Sequence, residues 1–183
     1  MEINVRKLAE QEKIKSPDLL TRVIGRTLFS RLLKHIEISG NDEVIVLDFT
    51  DIKVMDSSFI DEFIVKFIAA SGTSEKQYFV RLRNISEIGQ NNIESVFKSY
   101  LQFNKQRFVV VTENLCVNNR FFLGVLSPLE EDVLNCIRIN KSIFSEDIAS
   151  SMNSTIKMVD GVLVEMIKLR IIRQSNSGQF LPV

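Results

Sequence analysis

Three short apolar runs constrain the fold of this chain more than any other feature: EVIVLDF at residues 43–49, YFVRL at 78–82 and RFVVV at 107–111. Each is rich in Val, Ile or Phe and too short for a solitary helix, so each reads as a buried strand. The intervening stretches have helical period. From Asp56 to Ser58 onward, Phe59, Ile60, Phe63, Ile64, Phe67 and Ile68 recur at i, i+1, i+4 and i+5, leaving Asp61, Glu62 and Lys66 on the outward face. Ile93, Val96, Phe97, Tyr100 and Leu101 mark the next helix. Strand, helix, strand, helix, strand is the order of a mainly parallel sheet with right-handed crossovers, an α/β domain.

The flanking residues fill in around this frame. Ile3 to Leu8 alternate apolar and polar, which predicts a short edge strand. Ser16 as N-cap and Pro17 at the first helical position predict a helix carrying Leu20, Val23, Ile24, Leu28, Leu32 and Ile36 and ending near Gly40. After Val111 the pattern changes to ENLCVNNR, polar and rich in Asn. The expected organisation is therefore an α/β domain over 1–112, a linker over 113–126, and a small α+β domain over 127–183. Phe121 to Val125 would add a strand beside the C-terminal hairpin.

In that last part, Ser127, Pro128 and Glu130 form a capping box with a first-turn proline, which predicts a helix to about Ile139. Ser145 is placed as the cap of a short helix. A tight link at Asn153 and Ser154 leads to a longer helix with Met158, Val159, Val162, Leu163, Met166 and Ile167. A polar turn at 175–178 then joins two short strands.

Composition excludes several function classes. Lys plus Arg and Asp plus Glu are both 23, so there is no global polycation to advertise nucleic acid or membrane affinity. No apolar stretch approaches the ~20 residues needed to cross a bilayer, and the first ten residues have no signal-like core. Two cysteines, Cys116 and Cys136, without a CxxC pair, fit a reducing compartment, and a cytoplasmic protein is expected. His35 is the only histidine, which argues against a His-rich metal site and against a hydrolase triad. No metal, cofactor or enzymatic activity is expected.

The segment VIVLDFTDIKVMDSSF, Val44 to Phe59, resembles the signature of STAS domains, the sulfate-transporter and anti-sigma-factor-antagonist family. In the antagonists of that family a hydrophobic strand runs into Asp-Ser-Ser at a helix start. The first Ser after the Asp is phosphorylated there by a partner serine kinase of the anti-sigma, ATPase-like type. By motif position the resemblance makes Ser57 the switch, with Asp56 as its conformational neighbour and Ser58 as the adjacent alternative. The antagonists continue Gly-Leu-Gly, whereas this chain continues Phe59-Ile60-Asp61-Glu62-Phe63, which is more similar to a STAS-like branch of unknown function. The likeness covers roughly residues 1–112. A purely structural role for the serines is the competing reading, because Ser58 with Asp61 also fits a capping box.

The three helices and hairpin of residues 127–183 resemble a winged helix-turn-helix, carried by Asp147-Ile148-Ala149, Met152, Leu163, Met166, Ile171 and Ile172. That resemblance implies double-stranded DNA as partner, with Asn153, Ser154, Thr155 and Lys157 toward the bases and Arg173 with Gln174 toward the backbone. Against it, this part holds six Lys/Arg and seven Asp/Glu, a net charge of −1, so phosphate neutralisation would be weak without dimerisation. The reading is a non-enzymatic bacterial regulator whose STAS-like domain contacts a protein and whose winged helix binds DNA. The alternative is an interaction adaptor or partner-switching antagonist whose winged helix contacts protein. The remaining candidates reduce to structure: Asp61 and Glu62 to a solvated face, His35 to a helix C-terminus, Cys116 to an inert thiol. Asp48 and Asp51 lie at a strand end with no phosphate-binding loop, and a small-ligand site there rests on geometry alone.

Overall fold

The computed structural model describes residues 1–36, 40–72, 77–113 and 121–183. It divides into two compact units, Met1–Val125 and Leu126–Val183.

The first unit is built on β1 (Glu2–Asn4), β3 (Glu43–Asp48), β5 (Tyr78–Arg83), β6 (Val109–Glu113) and β7 (Phe122–Gly124), in the spatial order β1-β3-β5-β6-β7. The first four run parallel and β7 closes the edge antiparallel to β6. The three apolar runs are thus adjacent strands, and Ile45, Leu47, Val80, Leu82 and Val110 join the core. Gly124 has φ of 115°, and a Cβ there would lie 2.4 Å from the Phe108 carbonyl oxygen, so only glycine lets β7 pair this closely.

Several elements differ from the sequence expectation for local reasons. The initial strand stops after Asn4, whose side chain caps α1 (Val5–Gln11) by accepting from the Lys7 N–H at 2.8 Å. Val5, Leu8 and Ala9 then bury one helical face. Ser16 does not cap a helix: its hydroxyl accepts from the Asp18 N–H at 3.1 Å. Asp18–Leu19 is instead β2, paired in parallel with β4 (Val54–Met55), and α2 spans Arg22–Ile36. The expected helix end between Ile36 and Gly40 lies outside the described residues, as does Cys116. Within the stretch expected as a linker, β7 belongs to the α/β sheet and not to the C-terminal hairpin, because Val109, Val110 and Val111 offer it a ladder.

The run of residues 57–71 is one continuous helix of unusual shape. It consists of α3 (Ser57–Ile60), a π-helical segment (Asp61–Val65) and α4 (Lys66–Ser71). The wider π turn rotates Glu62, Phe63, Ile64 and Val65 all into buried positions. The outward face expected for Glu62 is therefore wrong. Phe59 stacks on Phe63 at 5.1 Å between ring centroids, and both are fully buried. α2 packs directly on this run at Gly25, where a Cβ would lie 2.8 Å from the Glu62 Cβ. α5 (Glu87–Ser99), which packs against α3 and β4, runs on into a second π-helical segment, Tyr100–Asn104.

The second unit contains α6 (Pro128–Asn140), α7 (Ser145–Ser151), α8 (Ile156–Lys168) and an antiparallel hairpin of β8 (Ile172–Gln174) and β9 (Phe180–Pro182). Ser127 caps α6 with the reciprocal Glu130 bond that defines a capping box. Phe144 stands at the N-cap position of α7, so Ser145 is the first helical residue and not the cap. Ile143 adds an isolated bridge to Phe180, so residues between α6 and α7 extend the hairpin. Val133, Leu134, Ile137, Ile148, Val159, Leu163, Met166 and Ile172 form its core.

Candidate functional site

The two strands β2 and β4 bring two helix starts together. Their parallel ladder sets Thr21 and Arg22, at the start of α2, beside Asp56 and Ser57, at the start of α3. Asp56 then serves both elements: one carboxylate oxygen accepts from the Phe59 N–H at 2.7 Å and the other from the Thr21 N–H at 3.0 Å. Asp56 is thus the N-cap, which removes the capping box expected between Ser58 and Asp61. Ser57 is exposed and Ser58 half-buried, and neither hydroxyl has a hydrogen-bond partner among the described residues.

Other helix starts in the chain differ in this respect. The Ser86 hydroxyl accepts from the Gly89 N–H at 3.2 Å and donates to the Lys53 carbonyl at 2.8 Å, and the Ser127 hydroxyl accepts from the Glu130 N–H at 3.3 Å. Those serines hold their helices. Ser57 and Ser58 are relieved of that duty by Asp56.

The two serines open onto a shallow groove of about 390 Å³. Arg22, Asp61, Tyr100 and, from α5, Ser95, Val96 and Ser99 line it with them. Asp61 and Tyr100 are the first residues of the two π-helical segments, and the tyrosine hydroxyl donates to the aspartate carboxylate. Burial and the Asp61 bond push the Tyr100 hydroxyl up to about 12, so it remains a donor at neutral pH.

Beneath the groove lies a charge cluster. Glu62 is only 2% exposed and accepts from Arg22 at 3.1 Å, from Arg26 at 3.0 Å and from Lys66. Hydrogen bonds from Arg26 and Lys66 outweigh its desolvation and hold the carboxyl down at about 2. Arg22 also pairs with Asp61 at 3.1 Å. The cluster joins α2 to the 57–71 run at the point where Gly25 permits close approach.

The strand-end carboxylate Asp48 is a structural lock. Burial alone would raise it, but hydrogen bonds from the Thr50 hydroxyl, Asn84, the Thr50 N–H and Arg83 bring it to about 2. With these partners at 2.7 to 3.1 Å its oxygens are occupied. Asp51, at φ of 67°, makes the turn after the strand. Among the described residues no group of three or more His, Cys, Asp or Glu could hold a metal ion, and no helix is long and apolar enough to cross a membrane.

In the second unit, Asn153 sits in the α7–α8 turn at φ of 50°, and Thr155 caps α8, its hydroxyl accepting from the Met158 N–H at 3.4 Å. Asn153, Thr155 and Lys157 are exposed and Ser154 is half-buried, so four of the expected base-facing residues are gathered at one helix start. Arg173, half-buried, and Gln174, exposed, belong to a separate element, β8. Met158 and Ile167, expected among the apolar positions of α8, are 56% and 37% exposed, and Ile156 at 49% and Val164 at 51% are exposed as well, interspersed with the exposed Lys157, Asp160, Glu165 and Lys168.

Sequence reasoning found the serines but missed Arg22, Glu62 and Tyr100. The Glu62–Lys66 spacing of i, i+4 was a visible cue. Nothing local ties Arg22 or Tyr100 to Asp61, each 39 residues away.

Residues 25–77 match the STAS-like domain of unknown function (DUF4325). No curated protein matches the chain. The STAS-like segment runs from Gly25, at the closest approach of α2 to the 57–71 run, and takes in β3, the Asp56-Ser57-Ser58 helix start and Glu62. Arg22 and the α5 wall of the groove lie outside the matched residues.

Proposed function

We propose that this chain is a non-enzymatic regulatory protein in which the STAS-like unit binds a protein partner and is switched by phosphorylation of Ser57, with Ser58 as the adjacent acceptor. The observation that carries the reading is that Asp56 supplies the helix cap, so both hydroxyls stand free at the rim of a groove while Ser86 and Ser127 are consumed as caps. A phosphate on Ser57 would sit where the first N–H groups of the 57–71 run favour negative charge, so it would change the surface and leave the fold intact. The partner is a serine kinase of the anti-sigma, ATPase-like type, as the Asp-Ser-Ser motif implies. Affinity capture from the native cells with wild type, Ser57→Ala and Ser57→Asp baits tests this. A kinase recovered on wild type and lost on Ser57→Asp is the expected result, and identical recoveries on all three baits would refute it.

The C-terminal unit is read as a winged helix-turn-helix that binds duplex DNA through Asn153, Ser154, Thr155 and Lys157, with Arg173 and Gln174 on the backbone. Support comes from the element order, the Ile143 bridge onto the hairpin and the exposed polar start of α8. A second reading, a winged helix that contacts protein, is favoured by the exposed Ile156, Met158, Val164 and Ile167 and by the net charge of −1. Capture and sequencing of sheared DNA at two salt concentrations separates them. One enriched motif selects the DNA reading, and no enrichment at low salt selects protein contact.

A further inference from the structure

Ser57, Ser58 and Arg22 line the same groove, and the bonds the Arg22 guanidinium makes there can be given up. Its Nη1 donates to Asp61 and to Glu62, each at 3.1 Å. Glu62, the buried member, keeps Arg26 and Lys66 if Arg22 leaves, and Asp61 keeps the Tyr100 hydroxyl. No buried carboxylate is stranded, which is the usual penalty for breaking such a pair. Arg22, Arg26 and Lys66 face Asp61 and Glu62, so the cluster carries one positive charge more than it needs. The Arg22 side chain is 56% exposed and has room to turn.

The covalent frame puts the serines within its reach. The Asp61 N–H bonds to the Ser57 and Ser58 carbonyls, so Asp61 lies one turn beyond Ser57 on the same helix face. Side chains so spaced have Cβ atoms about 5–6 Å apart. A phosphate on Ser57 would repel the Asp61 carboxylate and attract the cation that now sits on it.

We propose that Arg22 reads the phosphate on Ser57: its guanidinium leaves Asp61 and Glu62 and takes two phosphate oxygens in a bidentate pair. This rests on the reading of Ser57 as the switch. Arg22 is the first residue of α2, so the exchange re-forms the side of the groove that a docked partner would touch. A planar fork is suited to this contact and a lysine is not. The matched STAS-like residues begin after Arg22.

The test uses the full chain with phosphoserine installed at position 57 by genetic encoding, so that it does not depend on a kinase. The phosphorus resonance is titrated by NMR, with circular dichroism confirming the fold of each variant. Pairing with Arg22 stabilises the dianion, so Arg22→Gln should raise the second ionisation midpoint by about 0.5 pH unit or more. Arg22→Lys should fall between the two, and Arg26→Gln, which removes a Glu62 partner that does not line the groove, should leave the midpoint near its starting value. A midpoint unmoved by Arg22→Gln, or moved as far by Arg26→Gln, overturns the proposal. Absence of phosphate on the chain from cells would instead refute the switch reading and leave this titration standing.

Discussion

The two units differ in what their helix-start side chains hold. In the C-terminal unit the capping is local: Ser127 and Glu130 cap α6 within four residues, and Thr155 caps α8. In the N-terminal unit Asn4 and Ser86 cap α1 and α5 in the same local way, and the start of α3 adds a long-range tie. Asp56 caps its own helix and also holds Thr21, 35 residues away, and Glu62 is buried against Arg22 and Arg26 of another helix. The consequence is functional. Where Asp56, the residue just before the serines, does the capping, Ser57 and Ser58 are left free at a helix start, whereas the Ser127 capping box consumes its serine. In the C-terminal unit Ser127 and Thr155 are occupied as caps of α6 and α8, α7 starts at Phe144 without a side-chain cap, and α8 exposes Ile156, Val164 and Ile167.

The strongest way to break this contrast is at the aromatic centre of the first unit. Phe59→Ala removes a fully buried ring stacked on Phe63, and a loss of about 3–5 kcal/mol is expected. Denaturation followed by probes placed in each unit should show the loss in the first. An equal loss in the second would mean that the units do not unfold separately.

Which of these features could be read from the sequence follows the same division. The three apolar runs, the helical period between them and the Ser127 capping box were legible because their signals lie within a few residues. The Asp-Ser-Ser helix start was legible as a motif. The burial of Glu62 was not, because an α-helical wheel puts it outward and only the π turn at Asp61–Val65 brings it in. Ser16-Pro17 misled for a related reason: its hydroxyl is used two residues on, and the chain then pairs with Val54–Met55, a partner no local pattern specifies. Phe122–Gly124 could not be assigned to a sheet, since an apolar triplet does not say which edge it will join.

Acid sharpens the contrast next. Asp48 and Glu62 are both held at about 2, below their ordinary values of 3.8 and 4.5. A depressed carboxyl contributes stability that is present above its unfolded pKa and lost as pH falls through the folded one. The first unit should therefore weaken between about pH 4.5 and 2. Asp48→Asn and Glu62→Gln should each flatten that dependence in urea titrations at several pH values, and an unchanged slope in both would contradict the assigned networks.

Asp56→Ala should cost about 1 kcal/mol through the lost cap, with the freed Thr21 N–H adding to it, whereas Ser57→Ala should be nearly neutral. Thermal melts of the two variants check this, and a Ser57→Ala loss as large as that of Asp56→Ala would restore the serine to a structural role. Smallest of all, Val164→Ser on the outer face of α8 should change stability by less than about 0.5 kcal/mol. If that face contacts a protein, the same change should still weaken capture of the partner, measured by pull-down with the folded variant.

The central claim is that Ser57 is free to be modified because Asp56 has taken its place as the cap. Phosphosite mapping of the chain isolated from its native cells across growth conditions tests it most directly. Phosphate at Ser57 or Ser58 and none at Ser86 or Ser127 is the predicted result. Phosphate on neither Ser57 nor Ser58 under any condition would contradict it.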